Sequence, residues 1–243
     1  MKISELFRSI QGEGKLAGMP SVFVRTSVCN LRCVWCDTPY TSWNPEFVDL
    51  SIEDIVREVL RFSLDGDMPA SHVVITGGEP FLQARELDIL CRNLREAGHH
   101  ITIETNATIF KPVHANLISM SPKLRNSSPP SRVPGTPDRI SERHDERRIN
   151  VEVIRRFLQH FEKPPESDCQ VKFVVESEKD LEEIRHLEIE ASIPKDKILL
   201  MPQATDRHEL ATRTRWLEAV CARTGYARSP RLHIELFGNQ RGM

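Results

Sequence analysis

The sequence lacks both a long apolar run and a strong excess of charge of either sign. Its 243 residues carry a formal net charge of −2, which gives no electrostatic reason to expect nucleic acid or an anionic membrane as a partner. No apolar segment approaches the roughly 20 residues needed to span a bilayer. The N-terminal stretch MKISELFRSIQGEGK has no continuous apolar core. We therefore expect no secretory signal there and a location in the cytoplasm, where thiols stay reduced.

Cysteine is scarce except in one short stretch. Three of the six cysteines, Cys29, Cys33 and Cys36, lie in the segment CNLRCVWC. A zinc ribbon needs a second CxxC pair, which the sequence lacks, and no histidine lies within 30 residues of Cys36 to complete a zinc site. The spacing favours a four-iron cluster held by three thiolates, which leaves one iron free to bind a small ligand. A zinc-binding or iron–sulfur regulatory module without catalytic activity remains an alternative.

Short apolar runs rich in β-branched residues alternate with helical patterns along the chain. The runs are near-continuous, which is typical of strands buried on both faces; they span 22–28, 72–76, 101–104, 117–120, 170–175 and 197–201. Helical patterns follow Ser51 and span 82–97, 150–160, 178–187 and 206–223. This alternation predicts an α/β fold with a parallel sheet. We see no linker and expect a single domain over residues 1–243.

One segment interrupts the alternation. Residues 124–148 contain four prolines, many charges and few apolar residues. This composition predicts a flexible surface loop. A lid over the active site and a dimer contact are the alternative interpretations.

The cysteine spacing resembles a known signature. The C-x₃-C-x₂-C pattern of CNLRCVWC, with Trp35 before the last cysteine, is similar to that of the radical S-adenosylmethionine (SAM) enzymes. The resemblance implies an incomplete (β/α)₆ barrel in which the cysteines bind three irons of a 4Fe-4S cluster. The amino and carboxylate groups of SAM would chelate the fourth iron, and one-electron reduction would yield a 5′-deoxyadenosyl radical.

Three further stretches match the SAM-binding segments of these enzymes. In ITGGEP, two glycines would let a ligand approach the backbone closely and Glu79 would accept from the SAM ammonium group. SPK and MPQATD also end predicted strands. With the residues around the last cysteine, the SAM site implied by the resemblance comprises Trp35, Cys36, Asp37, Gly77, Gly78, Glu79, Ser121, Pro122, Lys123 and Gln203.

A narrower resemblance covers residue 3 to about 240. The IQGEG turn, the CDT triplet, GGEP, ETNAT and RLHIELFGNQRG are similar to the 7-carboxy-7-deazaguanine synthases, although 124–148 matches poorly. The resemblance implies a lyase that contracts the ring of 6-carboxy-5,6,7,8-tetrahydropterin, releases ammonia and regenerates SAM. This reaction belongs to queuosine and 7-deazapurine biosynthesis.

The pterin is a flat heterocycle with a donor/acceptor edge and a carboxylate. Arg25 suits the carboxylate, because an arginine on a buried strand needs an anion. The candidate substrate residues are Ile10, Gln11, Gly12, Glu13, Arg25, Thr76, Glu104 and His233. The resemblance also implies that Thr38 ligates Mg²⁺.

The resemblance implies two protein partners, a reductant such as flavodoxin or ferredoxin and a second copy in a homodimer. The rival within the same superfamily is a glycyl-radical-enzyme activating enzyme. That enzyme would act on a protein glycine loop rather than on a pterin.

Overall fold

The computed structural model describes residues 1–65, 69–131, 138–162 and 166–242. The strands are β1 (Lys2–Ile10), β2 (Pro20–Thr26), β3 (Val48–Asp49), β4 (His72–Gly77), β5 (His100–Thr105), β6 (Leu117–Met120), β7 (Asp168–Val175), β8 (Ile198–Pro202) and β9 (Ala227–Arg228). The helices are α1 (Ile52–Leu64), α2 (Ala84–Glu96), α3 (Arg139–Arg147), α4 (Val151–Phe161), α5 (Glu178–Glu190), α6 (Arg207–Thr224) and α7 (Leu232–Phe237).

All the strands join one open sheet in the order β3-β1-β2-β4-β5-β6-β7-β8-β9. From β2 through β4, β5, β6 and β7 to β8, every neighbouring pair is parallel. These are the six predicted strands, so the α/β class and the incomplete six-stranded barrel are confirmed. The antiparallel hairpin partner β1 and the two short edge strands are additions that the sequence pattern did not indicate.

The helices form where capping side chains and apolar faces coincide. Ser51 caps α1, since its Oγ accepts from the backbone N–H of Asp54 at 3.0 Å. The Asn150 side chain caps α4 in the same way at 3.2 Å. No helical pattern was predicted between the third and fourth predicted strands, and β5 and β6 are joined there by the irregular stretch 106–116.

The main core packs the helices against the sheet. Phe157 of α4 lies edge-on to Phe81 and Phe110, with ring centroids 5.1 and 5.0 Å apart. Such aromatic pairs add to the stabilisation from the buried area alone. No described helix is both long and apolar enough to cross a membrane.

The loop predicted over 124–148 is wrong for its second half, where α3 forms. Asp138 caps this helix by accepting from the N–H of Ile140 at 2.9 Å. The side chain of His144 anchors the helix, since it is buried with 1% of its surface exposed. Residues 132–137 of the segment lie outside the described residues. The flexibility expected of the segment and its place in a single domain stay predictions.

Candidate active site

A cavity of about 310 Å³ opens where the parallel strands end. Ligands in parallel α/β folds gather at this edge. The predicted residues that line it are Ile10, Gln11, Gly12, Glu13, Arg25, Cys29, Cys33, Trp35, Cys36, Asp37, Thr38, Thr76, Gly77, Gly78, Glu104, Ser121, Lys123, Gln203 and His233. Two predicted residues, Glu79 and Pro122, are not among the lining residues. The structure thus brings together side chains from both ends of the chain.

The cysteine loop, residues 29–36, follows β2 through a strained residue. Val28 has a φ of 76°, an unusual conformation for a β-branched side chain. A Cβ on Gly78 would lie 2.1 Å from the carbonyl oxygen of Val28, and that oxygen accepts from the N–H of Glu79 at 2.9 Å. We expected the glycines to admit a ligand. The structure shows that Gly78 admits the cysteine loop itself, because any side chain there would push the loop away.

The three thiols of the loop are free and surround the same cavity. The Cys29 sulfur accepts from the N–H of Leu31 at 3.4 Å, and the Cys36 sulfur lies 3.4 Å from Ser42 Oγ. Burial raises the pKa of Cys29 to about 11 and that of Cys33 to about 12. Both thiols are therefore protonated at neutral pH unless a metal displaces the proton.

Glu79 lies behind the cavity wall. Its side chain is 0% exposed and accepts from the N–H groups of Phe81 at 3.0 Å and Asn106 at 2.8 Å, and from Thr105 Oγ1 at 2.8 Å. Burial raises its pKa to about 7, against the lowering effect of these hydrogen bonds. Three donors of the chain thus occupy the carboxylate, two on Oε1 and one on Oε2. A carboxylate can accept about four hydrogen bonds, so the contact with the SAM ammonium group stays a prediction for the remaining position on Oε2.

The SPK segment reaches the cavity through its outer residues only. Lys123 Nζ donates to Ser121 Oγ at 2.8 Å and lies 5.7 Å from the centroid of the Trp35 ring. Pro122 between them does not line the cavity. The end of β6 and the cysteine loop therefore form one continuous wall.

The IQGEG turn closes against the C-terminal helix α7. A Cβ on Gly12 would lie 2.2 Å from Nδ1 of His233, and the N–H of Leu232 donates to the Gly12 carbonyl at 3.0 Å. His233 Nε2 lies 3.9 Å from Oε1 of Glu13. This glycine is needed so that the histidine can pack on the turn and face the cavity.

A charged network lies at the turn and includes a lysine that the sequence motifs did not indicate. Lys172 of β7 places its Nζ 2.5 Å from Glu13 and 3.1 Å from Glu104, whose other oxygen accepts from Gln11 at 3.3 Å. Burial alone would raise the pKa of Glu13, but Lys172, Arg231 and His233 outweigh it and hold that pKa far below its ordinary value. A lysine inside the buried run QVKFVV was the available signal, since a buried ammonium needs anions.

Asp37 and Thr38, which follow the last cysteine, have contacts of their own. Arg231, 5% exposed, pairs with Asp37 at 3.1 Å and with Glu13 at 3.4 Å. Thr38 Oγ1 accepts from Thr41 at 3.3 Å and lies 3.9 Å from the Cys36 sulfur. Arg231 was also missed, and it ties the residue next to the cysteine loop to the IQGEG turn.

Arg25 has a protein anion as its neighbour. Its Nε lies 2.6 Å from Oε2 of Glu5 on β1, which also accepts from Tyr40 at 2.9 Å. Glu5 went unnoticed because β1 was not predicted. Glu5 thus supplies an anion for Arg25 from within the chain. Arg25 nevertheless lines the cavity.

Comparisons with known proteins identify the family. The profile of the Radical SAM superfamily matches residues 23–187. The chain is 42% identical to a 7-carboxy-7-deazaguanine synthase of Rhodopirellula baltica over 240 residues, covering 99% of this chain and 88% of that protein. It is 41% identical to a synthase of that name from Halobacterium salinarum over 246 residues, covering 98% and 91%.

The fold is also similar to a solved structure. The crystal structure of QueE from Escherichia coli matches with a TM-score of 0.62 at 24% identity, covering 94% of this chain and 92% of that one. The chain therefore belongs to the radical SAM superfamily and, within it, to the family of 7-carboxy-7-deazaguanine synthases.

Proposed function

We propose that the protein is a radical SAM lyase that converts 6-carboxy-5,6,7,8-tetrahydropterin into 7-carboxy-7-deazaguanine with loss of ammonia, in queuosine and 7-deazapurine biosynthesis. The observation that carries this function is the similarity over nearly the full length to curated synthases of that name. A single cavity with three thiols on one side and a polar, charged wall on the other supports it.

The thiol side of the cavity fits a cluster held by Cys29, Cys33 and Cys36. The three thiols are free, and N–H groups are directed at the Cys29 sulfur from Leu31 and, at 3.8 Å, from Asn106. Hydrogen bonds to sulfur tune such clusters. When bound, the cluster and SAM together supply the 5′-deoxyadenosyl radical that removes hydrogen from the substrate. The chain itself contributes the thiolates and the wall around them.

We assign the SAM side to the ends of β4, β6 and β8. Gly77 and Gly78 supply backbone there, Gln203 supplies an amide, and the Lys123 ammonium suits the SAM carboxylate. We propose that Trp35, Cys36, Asp37 and Ser121 also line the SAM site. We propose that Glu79 and Pro122 also belong to the SAM site, where Glu79 accepts from the SAM ammonium group besides holding the backbone of Asn106.

We assign the substrate side to the IQGEG turn and its partners. Glu13 and Glu104 offer carboxylate oxygens to the amino and ring N–H groups of the pterin edge, while Lys172 holds the two carboxylates together. Gln11 supports Glu104. The rest of this wall comprises Ile10, Gly12, Arg25, Thr76 and His233. We propose that these residues contact the substrate through their backbone, bind its carboxylate or position it.

The finer assignments rest on the resemblance to the family. For Mg²⁺ we propose Thr38 as the protein ligand, with substrate and water completing the shell, because Mg²⁺ keeps several waters and few protein ligands. A flavodoxin or ferredoxin as reductant, a homodimer and a cytoplasmic location complete the proposal.

The test is anaerobic turnover of the reconstituted protein with SAM, Mg²⁺ and dithionite. The carboxypterin should be converted to a product with the mass of 7-carboxy-7-deazaguanine, whereas a glycine-loop peptide should not be modified. Single substitution of Cys29, Cys33 or Cys36 by alanine should abolish turnover, and Cys221→Ala, in α6, should not. Radical transfer to the peptide with the pterin left intact would refute the assignment.

A further inference from the structure

The described residues of 124–148 have no part in the proposed reaction, yet they hold the cysteine loop. The N–H of Val34 donates to the carbonyl of Ser127 at 2.9 Å, and Trp35 Nε1 donates to the carbonyl of Asn126 at 2.9 Å. Both donors lie between the second and third cysteines of the loop. Asn126 and Ser127 thus hold the two residues that separate Cys33 from Cys36.

A third contact comes from the side chain of a buried histidine. His144 of α3 is 1% exposed, and its Nδ1 accepts from the N–H of Arg32 at 3.0 Å. Because a backbone N–H can only donate, Nδ1 carries no proton and Nε2 carries it. Nε2 lies 3.0 Å from Oγ of Ser127, whose own hydrogen goes to the carbonyl of Leu124 at 2.6 Å. The hydrogen bonds therefore have one consistent direction, and the imidazole has one orientation.

His144 accepts from the backbone of Arg32, and the Arg32 side chain in turn contacts the backbone between the first two cysteines. The Arg32 guanidinium donates to the carbonyl of Cys29 at 2.8 Å and to that of Leu31 at 2.7 Å. Arg32 also directly precedes Cys33 in the chain. Fixing the backbone of Arg32 consequently fixes the spacing between these two thiols.

The surroundings of the ring keep it in the form that this contact needs. Burial lowers the pKa of His144 to about 4, so Nδ1 is free to accept at neutral pH. The charged groups that act on the ring are Asp145 of α3, Arg148 directly after that helix, and Lys123. Asp145 and Arg148 pair with each other at 3.4 Å.

We propose that His144 is a positioning residue for the iron–sulfur cluster, which it secures by holding the backbone of Arg32 between Cys29 and Cys33. The inference rests on the proposed function, since it requires a cluster at those thiols. It predicts that loss of the Nδ1 acceptor loosens the cysteine loop in the folded protein. A histidine that only fills the core would affect overall stability and leave cluster retention of the folded protein unchanged.

The measurement is the rate of iron release to a chelator from the anaerobically reconstituted full chain, at a temperature where circular dichroism shows each variant to be folded. His144→Asn places an amide oxygen near the position of Nδ1, and His144→Gln places the same amide nearer Nε2. The Asn variant should release iron within about twofold of the unsubstituted protein. The Gln and Phe variants should release it about tenfold faster, because they lose one buried hydrogen bond to the loop.

The matched control is Glu142→Gln, an exposed position in the same helix, which should leave the rate unchanged. Electron paramagnetic resonance of the reduced cluster should show a broadened signal in the Gln and Phe variants only. Equal rates of iron release from the Asn and Gln variants would overturn the inference. If the Phe variant does not fold, the comparison of Asn with Gln is sufficient by itself. Failure of the unsubstituted protein to hold any cluster would instead refute the proposed function.

Discussion

Lys172 and Glu13 form an ion pair of 2.5 Å in which only 3% and 17% of the two side chains are exposed. The pair joins the middle of a buried strand to the IQGEG turn, so the wall proposed for the pterin is also a structural element. Lys172 also pairs with Glu104, and Glu13 also pairs with Arg231. Substitutions here should change stability and substrate binding together.

Lys172→Met should destabilise the protein by about 3 kcal/mol, because two buried carboxylates lose their common cation. For a chain of this length the midpoint of thermal unfolding should fall by roughly 6–12 °C. Lys172→Arg should retain most of the stability. The control is Lys15→Met, which removes a pair with Asp168 that is about one-third exposed and should cost less than about 1 kcal/mol. A midpoint for Lys172→Met equal to that of Lys15→Met would contradict the role given to the network.

The same pair predicts a dependence of stability on pH. The pKa of Glu13 is held down in the folded protein, so its contribution is fully present above the ordinary glutamate pKa of about 4.3 and is lost as the pH falls below it. The difference in unfolding free energy between the unsubstituted protein and Glu13→Gln should therefore shrink between about pH 6 and pH 3. Urea unfolding of both proteins at several pH values measures it. A difference in unfolding free energy that grows as the pH falls would contradict the lowered pKa of Glu13.

Gly78→Ala should prevent the cysteine loop from taking its place. The added Cβ would lie 2.1 Å from the Val28 carbonyl oxygen, and backbone cannot yield as a flexible side chain can. We expect a folded variant with little cluster, measured as iron per chain after reconstitution. Gly98→Ala is the control: Gly98 has open space around it, so that its alanine meets only the strain of a positive φ of 88°, which Gly78 does not have. Full iron content in Gly78→Ala would show that the glycine serves another purpose.

The thiols of the metal-free protein should react slowly. With pKa values of about 11 and 12, Cys29 and Cys33 are mostly protonated at pH 8, and only the thiolate is nucleophilic. Alkylation by iodoacetamide, followed by peptide mass spectrometry, should be at least about tenfold slower than for an unperturbed cysteine and should rise about tenfold per pH unit from pH 8 to 9. A rate at either residue that levels off below pH 9 would mean that burial does not control its pKa.

The sequence predicted the six parallel strands because each is a short apolar run buried on both faces, a local pattern. It also anticipated that most of the candidate residues lie at one cavity, since several of the motifs follow directly on the end of such a strand. β1 was missed because its exposed and buried residues mix along the strand, and with it Glu5, the partner of Arg25. The position of Glu79 behind the wall depends on Thr105 and Asn106 from another strand end. Helix α3 escaped notice because its neighbouring prolines and charges dominate the composition of the segment.

The central claim is that three thiolates hold the cluster and leave one iron to SAM. Electron–nuclear double resonance of the dithionite-reduced protein, with SAM labelled by ¹⁵N in its amino group and ¹⁷O in its carboxylate, tests this claim directly. The account predicts hyperfine couplings from both labels, and predicts that they disappear when unlabelled SAM is used. A coupling from a protein nitrogen or a fourth protein thiolate that persists after SAM is added, with no signal from either label, would contradict it.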